Sequence, residues 1–200
     1  MPVQITYRMA RPDDSGELAR YMCLAGGGLY EFLFDNLIPF VTAVDVLSVG
    51  IGSEGYPVSY RNCCVAALGD SGAIVAAANV FPADLLKEDH YMLLGSERHD
   101  HVRPMLVLQD WGSMFLNSLA VSDGHRGSGI GARLLDWAET RTTEAGYDRL
   151  SLHVWADNLT ALKFYKVRGF VEVGVAEIPP HPRLPHNGGS ILMNKAMRAT

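Results

Sequence analysis

Between residues 114 and 146 an apolar run, a glycine-rich turn and an amphipathic stretch follow one another, and no other part of the chain constrains the fold as much. Met114–Val121 (MFLNSLAV) reads as a buried strand, and Ser122-Asp123-Gly124-His125 turns the chain. Ile130–Ala145 carries Ile130, Leu134, Leu135 and Ala138 at helical spacing and stops at Gly146. Between strand and helix lies His125-Arg126-Gly127-Ser128-Gly129-Ile130-Gly131-Ala132. Glycine lets a backbone approach a ligand closely, and a first helical turn leaves N–H groups without internal partners. Those donors and the positive end of the helix dipole suit a phosphate or pyrophosphate, and Arg126 adds a cation just ahead of them. The plain alternative is a glycine-rich turn with no ligand.

Which phosphate compound is a separate question. Gly127-x-Gly129-x-x-Ala132 fits the relaxed dinucleotide fingerprint, which would make the chain a Rossmann-type oxidoreductase. That fingerprint usually opens the first strand–helix unit, whereas this one arrives after more than half the chain. The ribose-holding acidic residue belongs after the next strand, but Asp148 precedes it and Asp157 lies farther along than the rule expects. No Gly-Lys-Ser/Thr follows either, so a Walker A loop is absent.

Downstream, Arg149–Trp155 alternates so that Leu150, Leu152 and Val154 share one side. Asn158 caps a helix carrying Leu159, Leu162 and Tyr165 and ended by Gly169; Phe170–Ile178 and Ser190–Met197 supply two closing strands. Leu119-Ala120-Val121 with Arg126-Gly127-Ser128-Gly129-Ile130-Gly131 resembles the Arg/Gln-x-x-Gly-x-Gly/Ala acyl-CoA motif of the GNAT N-acetyltransferase superfamily. Asn158-x-x-Ala161-x-x-x-Tyr165 followed by Gly169-Phe170 is similar to that family's next signature. The resemblance runs from about Phe115 to Val173; before that it rests on element order alone.

The resemblance implies an α/β fold of the α+β type with a mixed, mostly antiparallel central sheet of about six to seven strands and helices on both faces. The sheet would be splayed between the 114–121 and 149–155 strands, with acetyl-CoA as co-substrate in the opening. Backbone groups of Leu119, Ala120 and Val121 would line the pantetheine arm, and amides from Arg126, Gly127, Ser128, Gly129, Ile130 and Gly131 would hold the pyrophosphate. Asn158 would touch the cofactor arm. Tyr165, one helical turn past Ala161, would present its hydroxyl to the sulfur. The implied activity is transfer of an acetyl group to a primary amine of a small molecule or peptide.

Such a transfer needs a neutral amine, an oxyanion contact and a proton for the departing thiolate. The Val121 backbone N–H is the candidate for the oxyanion and the Tyr165 hydroxyl for the acid. Helical spacing alone would make Tyr165 a packing aromatic. Glu31, Glu97, Asp110, His153 and Trp155 are the groups available as a base or on the acceptor side, Glu31 because it follows the triple-glycine bend; a water-mediated route needs none of them. A non-catalytic acyl-CoA-binding module on the same scaffold is the other reading.

The first half supplies the remaining elements. Ile5, Tyr7 and Met9 alternate in a first strand, and Ser15 is expected to cap a helix with Leu18, Tyr21, Met22 and Leu24 on its apolar stripe. Gly26-Gly27-Gly28 stops that helix, and helical pieces are expected at Tyr30–Asn36 and Pro39–Val49. Asn62–Leu68 and Ala73–Phe81 flank the turn cluster Gly69-Asp70-Ser71-Gly72 as a hairpin. Residues 82–112 read as a polar, solvated, acceptor-side insertion in a single domain spanning 1–200. His99-x-His101 would point two imidazoles to one side of a strand, but acidic neighbours and missing partners argue against a metal, so none is expected. The His181–His186 loop is proline-rich and expected to be exposed.

Composition closes off other classes. Seventeen basic against 22 acidic residues leave a net charge of −5, which disfavours nucleic-acid binding as the main role. Cys23, Cys63 and Cys64 have no disulfide or zinc spacing and read as buried thiols. The N-terminal segment lacks an apolar signal core, Asn158-Leu159-Thr160 is no acceptor without one, and the most apolar stretch, Leu37–Ile51, is too short and too interrupted for a membrane span. The expected setting is the cytoplasm, with no membrane partner and homodimerisation left open.

Overall fold

The computed structural model describes residues 4–69, 72–87 and 96–197. Among them, β1 (Ile5–Met9), β2 (Cys63–Leu68), β3 (Ile74–Pro82), β4 (Met114–Val121), β5 (Arg149–Trp155), β6 (Val171–Ala176) and β7 (Ser190–Ala196) form one seven-stranded sheet. Its order is β1-β2-β3-β4-β5-β7-β6. The β4–β5 pair is parallel and its neighbours are antiparallel. The expected mixed, mostly antiparallel sheet is therefore present, with helices on both faces.

Strand alternation builds two cores. Cys63, Val65, Ala77 and Ala120 pack under α1 (Ser15–Gly26), α2 (Leu29–Phe34), α3 (Ala43–Gly52) and α4 (Ser96–Val107). Cys64, Ala66, Ala76 and Ala78 pack on the other side with α5 (Ile130–Glu144) and α6 (Leu159–Val167). The three thiols are buried, and burial pushes Cys23 and Cys63 up to about 12 and Cys64 to about 11.

Two features of the sheet create an opening. The β3–β4 register slips between Asn79, which pairs with Ser118, and Val80, which pairs with Leu116, so Asn117 is an extra, bulged residue. Leu116 and Leu119, three apart, consequently face the same core. In addition, β4 pairs with β5 only at Met114–Leu150 and Phe115–Ser151. Beyond Phe115 the two strands part.

Several local expectations need correction. The helix placed at Pro39–Val49 begins instead at Ala43, because Thr42 Oγ1 accepts from the Asp45 N–H at 3.2 Å while Asp45 Oδ2 accepts from the Thr42 N–H at 2.9 Å. Ser15 is the first residue of α1 rather than its cap. Asp14 stands at the cap, its carboxylate taken by Arg8 at 2.6 and 3.0 Å and by the Arg11 N–H at 2.7 Å. The insertion is not simply solvated either: α4 buries Val102 and Met105, and Arg98 Nη1 donates to Phe32 O at 3.2 Å and Asp35 O at 2.7 Å, satisfying the C-terminal end of α2. His99 and His101 stand on this helix, not a strand, so their side chains diverge. His101 and His181 both pack on Phe32, at ring separations of 5.5 and 4.8 Å. Glu88, Asp89 and His90, and Asp70 and Ser71 of the hairpin turn, lie outside the described residues.

Candidate active site

The parting of β4 from β5 opens a cavity of about 620 Å³ that runs from the first turn of α5, past α6, to α1 and α2. Backbone direction on β4 decides what faces it. The Ser122 N–H donates to Val75 O at 2.9 Å, so Ala120, two residues back, also turns its polar backbone towards β3. Leu119 and Val121 turn theirs the other way, into the gap. The Val121 carbonyl accepts from Arg126 Nε at 3.2 Å, which leaves the Val121 N–H as the donor directed at the opening.

The turn into α5 has the form an anion needs. Gly127 and Gly129 adopt φ of +76° and +85°, conformations that other residues enter only with strain. Gly129 precedes the helix without a side-chain cap, and its carbonyl accepts from the Arg133 N–H at 3.2 Å. The N–H groups of Ile130, Gly131 and Ala132 therefore open forward without intrahelical partners. Arg126 is pinned beside them by Asp123 at 2.9 Å. Ser122 Oγ lies 2.9 Å from His125 Nδ1, and Ser128 Oγ donates to His125 O, so side chains within the loop hold its shape. Uncapped amides, a positive helix end and a pinned guanidinium fit a pyrophosphate.

On the far wall, Asn158 Oδ1 accepts from the Ala161 N–H at 3.1 Å, starting α6. Tyr165, on the same helix and 8% exposed, packs between Phe164 and Phe170, the latter beyond the helix end, and lines the cavity. Burial pushes its phenol pKa up, so the hydroxyl keeps its proton at neutral pH. Arg168, stacked on Phe164 at 4.8 Å, adds a second cation that the motif reading missed. All the expected cofactor residues except Ser128 line this one cavity.

The opposite end, under α1, α2 and α4, is apolar, with Leu29, Leu33, Met105, Leu106 and Phe115 in its wall. Two buried polar atoms there have no partner: Gln109 Oε1 and Asn117 Nδ2. An unmet buried polar group typically costs about 1–3 kcal/mol, so two of them in one cavity mark a place built to meet a ligand or water. Sequence reasoning passed over both. The available signal was the polar pair Asn117-Ser118 inside a mainly apolar run.

The suggested bases scatter. Glu31 is not in the cavity wall, although its neighbour Tyr30 is. Asp110 is held by Arg149 Nε at 3.2 Å and Asn194 Nδ2 at 2.8 Å, and Glu97 is exposed on α4. His153 reaches the cavity, but Nε2–H donates to Leu108 O at 2.8 Å and Nδ1 accepts from Ser190 Oγ at 2.9 Å. Burial pushes its pKa down to about 4, so it is neutral and fully engaged. Trp155 Nε1 donates to Gly26 O at 2.9 Å, and its ring stacks on His186 at 4.3 Å. His186 in turn spans Asp157 Oδ1 at 2.9 Å and Gly27 O at 2.7 Å, so the loop, exposed as expected at Pro182, Arg183 and Pro185, is nevertheless tied through His186 to the α1–α2 turn.

Comparison with known proteins agrees with this geometry. A model of the acetyltransferase (GNAT) family matches residues 54–170. "GCN5-related N-acetyltransferase 4, chloroplastic" of Arabidopsis thaliana is 27% identical over 190 residues, covering 87% of this chain and 63% of that protein. "N-alpha-acetyltransferase 40" of Saccharomyces cerevisiae is 27% identical over 134 residues, 62% of this chain and 43% of its own length. The chain thus spans less than two thirds of either relative. Among solved structures, an N-acetyltransferase from Staphylococcus aureus Mu50 superposes with a TM-score of 0.70 at 21% identity, covering 95% of this chain and all of that one. A mosquito arylalkylamine N-acetyltransferase-like protein reaches 0.69 at 14% identity, covering 96% and 100%. These likenesses show the fold, while the family match spans more than half of the chain. The chain belongs to the GNAT acetyltransferase family.

Proposed function

We propose that the protein transfers the acetyl group of acetyl-CoA directly to a primary amine, with Tyr165 as general acid. The observation that carries this reading is the single cavity joining the uncapped amides of α5, the Val121 N–H and the Tyr165 phenol to an apolar chamber under α1 and α2. Acetyl-CoA, when bound, supplies a thioester as the acyl donor. The α5 turn and Arg126 hold its phosphates, and the gap-facing backbone of Leu119 and Val121 accommodates its arm in the manner of an added strand. The Asn158 side chain, its oxygen committed to capping, keeps its amide N–H groups for the same arm.

The Val121 N–H is directed at the carbonyl oxygen on which charge builds as the amine attacks. As the new C–N bond forms and the C–S bond breaks, Tyr165 donates its proton to sulfur. The proton lost by nitrogen restores the phenol, so the chain ends each cycle unchanged. No base is assigned: His153 is neutral and engaged, and the described wall of the cavity contains no carboxylate. The low-dielectric chamber itself favours the neutral, nucleophilic amine over the ammonium.

Release of free thiol from acetyl-CoA in the presence of primary amines tests the reading. Tyr165→Phe should lower kcat by about 10²–10⁴-fold, the usual contribution of a positioned acid, while acetyl-CoA affinity stays within a few-fold. An unchanged kcat removes Tyr165 from the mechanism.

A further inference from the structure

We propose that Gln109 and Asn117 select the acceptor, and that the acceptor is a primary amine on an apolar body that also carries an oxygen acceptor, as an α-amino carbonyl unit does. This rests on the acetyltransferase reading and adds the substrate class to it.

The hydrogen-bond inventory of the two amides is what points there. Gln109 Nε2 donates to Met105 O at 2.9 Å, and a main-chain carbonyl can only accept, so the end left over is the oxygen. That Oε1 calls for a donor. Asn117 Oδ1 accepts from the Tyr30 hydroxyl at 3.4 Å, which leaves Nδ2, a donor that calls for an oxygen. A ligand meeting both must carry an N–H and an oxygen acceptor. Both side chains line the cavity, and Asn117 sits on the bulge at which β4 leaves β5. It stands only two and four residues before Leu119 and Val121, whose backbone faces the transfer site.

Charge and polarity narrow the rest of the acceptor. Leu29, Leu33, Met105 and Phe115 line the same cavity and suit an aliphatic or aromatic body. The charged side chains among the described lining residues, Arg126 and Arg168, are cations and lie at the cofactor end. A second positive charge on the acceptor would find no counter-ion among the described lining residues. A neutral Gln109 oxygen also receives the amine while stabilising its ammonium form less than a carboxylate would.

Thiol release from acetyl-CoA is therefore compared for L-leucinamide, 3-methylbutylamine, which lacks the carbonyl, and agmatine, which carries a guanidinium. Every kcat/KM is referred to the neutral-amine fraction, because an α-amine titrates at about 8 and an alkylamine at about 10.4. The expected order is leucinamide first, at least about tenfold above either of the others, a margin worth one good hydrogen bond. A leucine-initiated tripeptide then tells whether the unit arrives as a free amide or at the end of a chain. Asn117→Ala and Gln109→Met should each raise KM for leucinamide about tenfold, leave kcat within a few-fold and bring leucinamide and 3-methylbutylamine close to parity. Thermal stabilisation by acetyl-CoA is recorded for each variant; a variant that is still stabilised is folded, and if one fails to fold the other carries the test. Equal kcat/KM for the three amines, a preference for agmatine, or variants that keep the leucinamide preference would overturn the inference while leaving the acetyltransferase reading intact. No stabilisation of the wild-type protein by acetyl-CoA would overturn both.

Discussion

Tyr165 and His153 both stand in the wall of the cavity, and burial acts on them in opposite directions. It opposes the charged form of each, raising the phenol and lowering the imidazole to about 4, so both are neutral at pH 7. For His153 this has a consequence for stability. In the unfolded chain an imidazole titrates near 6.5, so between about 6.5 and 4 the unfolded state binds a proton that the folded state refuses. Stability is then lost as pH falls through that window, by a total of about 3 kcal/mol for a shift of this size. His153→Gln, which cannot titrate, should flatten the fall in Tm between pH 6.5 and 4; an equally steep fall in the variant would assign the acid sensitivity elsewhere. His153 also shows the limit of reading residues singly. Its place opposite Leu152 and Val154 was legible from strand alternation, but Leu108 O and Ser190 Oγ, which occupy both nitrogens, come from segments 45 and 37 residues away.

At the scale of elements, the second half of the chain was legible because each element carries its own boundary signal. Gly129 and Gly146 bracket α5, and Asn158 starts α6 by accepting the Ala161 N–H. Removing that acceptor has a defined effect: Asn158→Ala should destabilise the fold by about 1 kcal/mol, measured by urea unfolding. Because the Asn158 amide also lies in the cavity wall, the same change should weaken acetyl-CoA binding, which a destabilised but fully folded protein would otherwise retain. The β4 bulge was not legible. MFLNSLAV read with period two puts Leu116, Ser118 and Ala120 on one face, whereas the extra residue Asn117 sends Leu116 and Leu119 to the same core. A bulge is set by how two strands accommodate each other, and a single strand's residues do not record it. The α4 region was misread for a related reason. SERHDHVRPMLV is polar by composition, yet Arg98 is spent on the carbonyls that end α2, and Val102 and Met105 are buried beneath the surface that the charged residues form.

Over the whole molecule, the net charge of −5 and the cavity's cations coexist because they sit at different scales. Arg126 and Arg168 give a local positive end to one cleft in a chain that is acidic overall. The family motifs specify that end; the helices α1, α2 and α4 and the loop carrying His186 close the other, and their contacts join parts of the chain more than a hundred residues apart, as Trp155 with Gly26 and His186 with Gly27. Long-range closure of this kind follows from the fold as a whole. The cleft's central property is nevertheless simple to measure, since a ligand that binds only the folded state stabilises it by mass action. Thermal unfolding with acetyl-CoA at about a hundred times its dissociation constant should show stabilisation near 2.7 kcal/mol, a rise in Tm of roughly 5–10 °C for a chain of this size, with NAD having no comparable effect. A Tm unmoved by saturating acetyl-CoA, or moved more by NAD, would contradict the assignment of the cleft between β4 and β5 to an acyl-CoA.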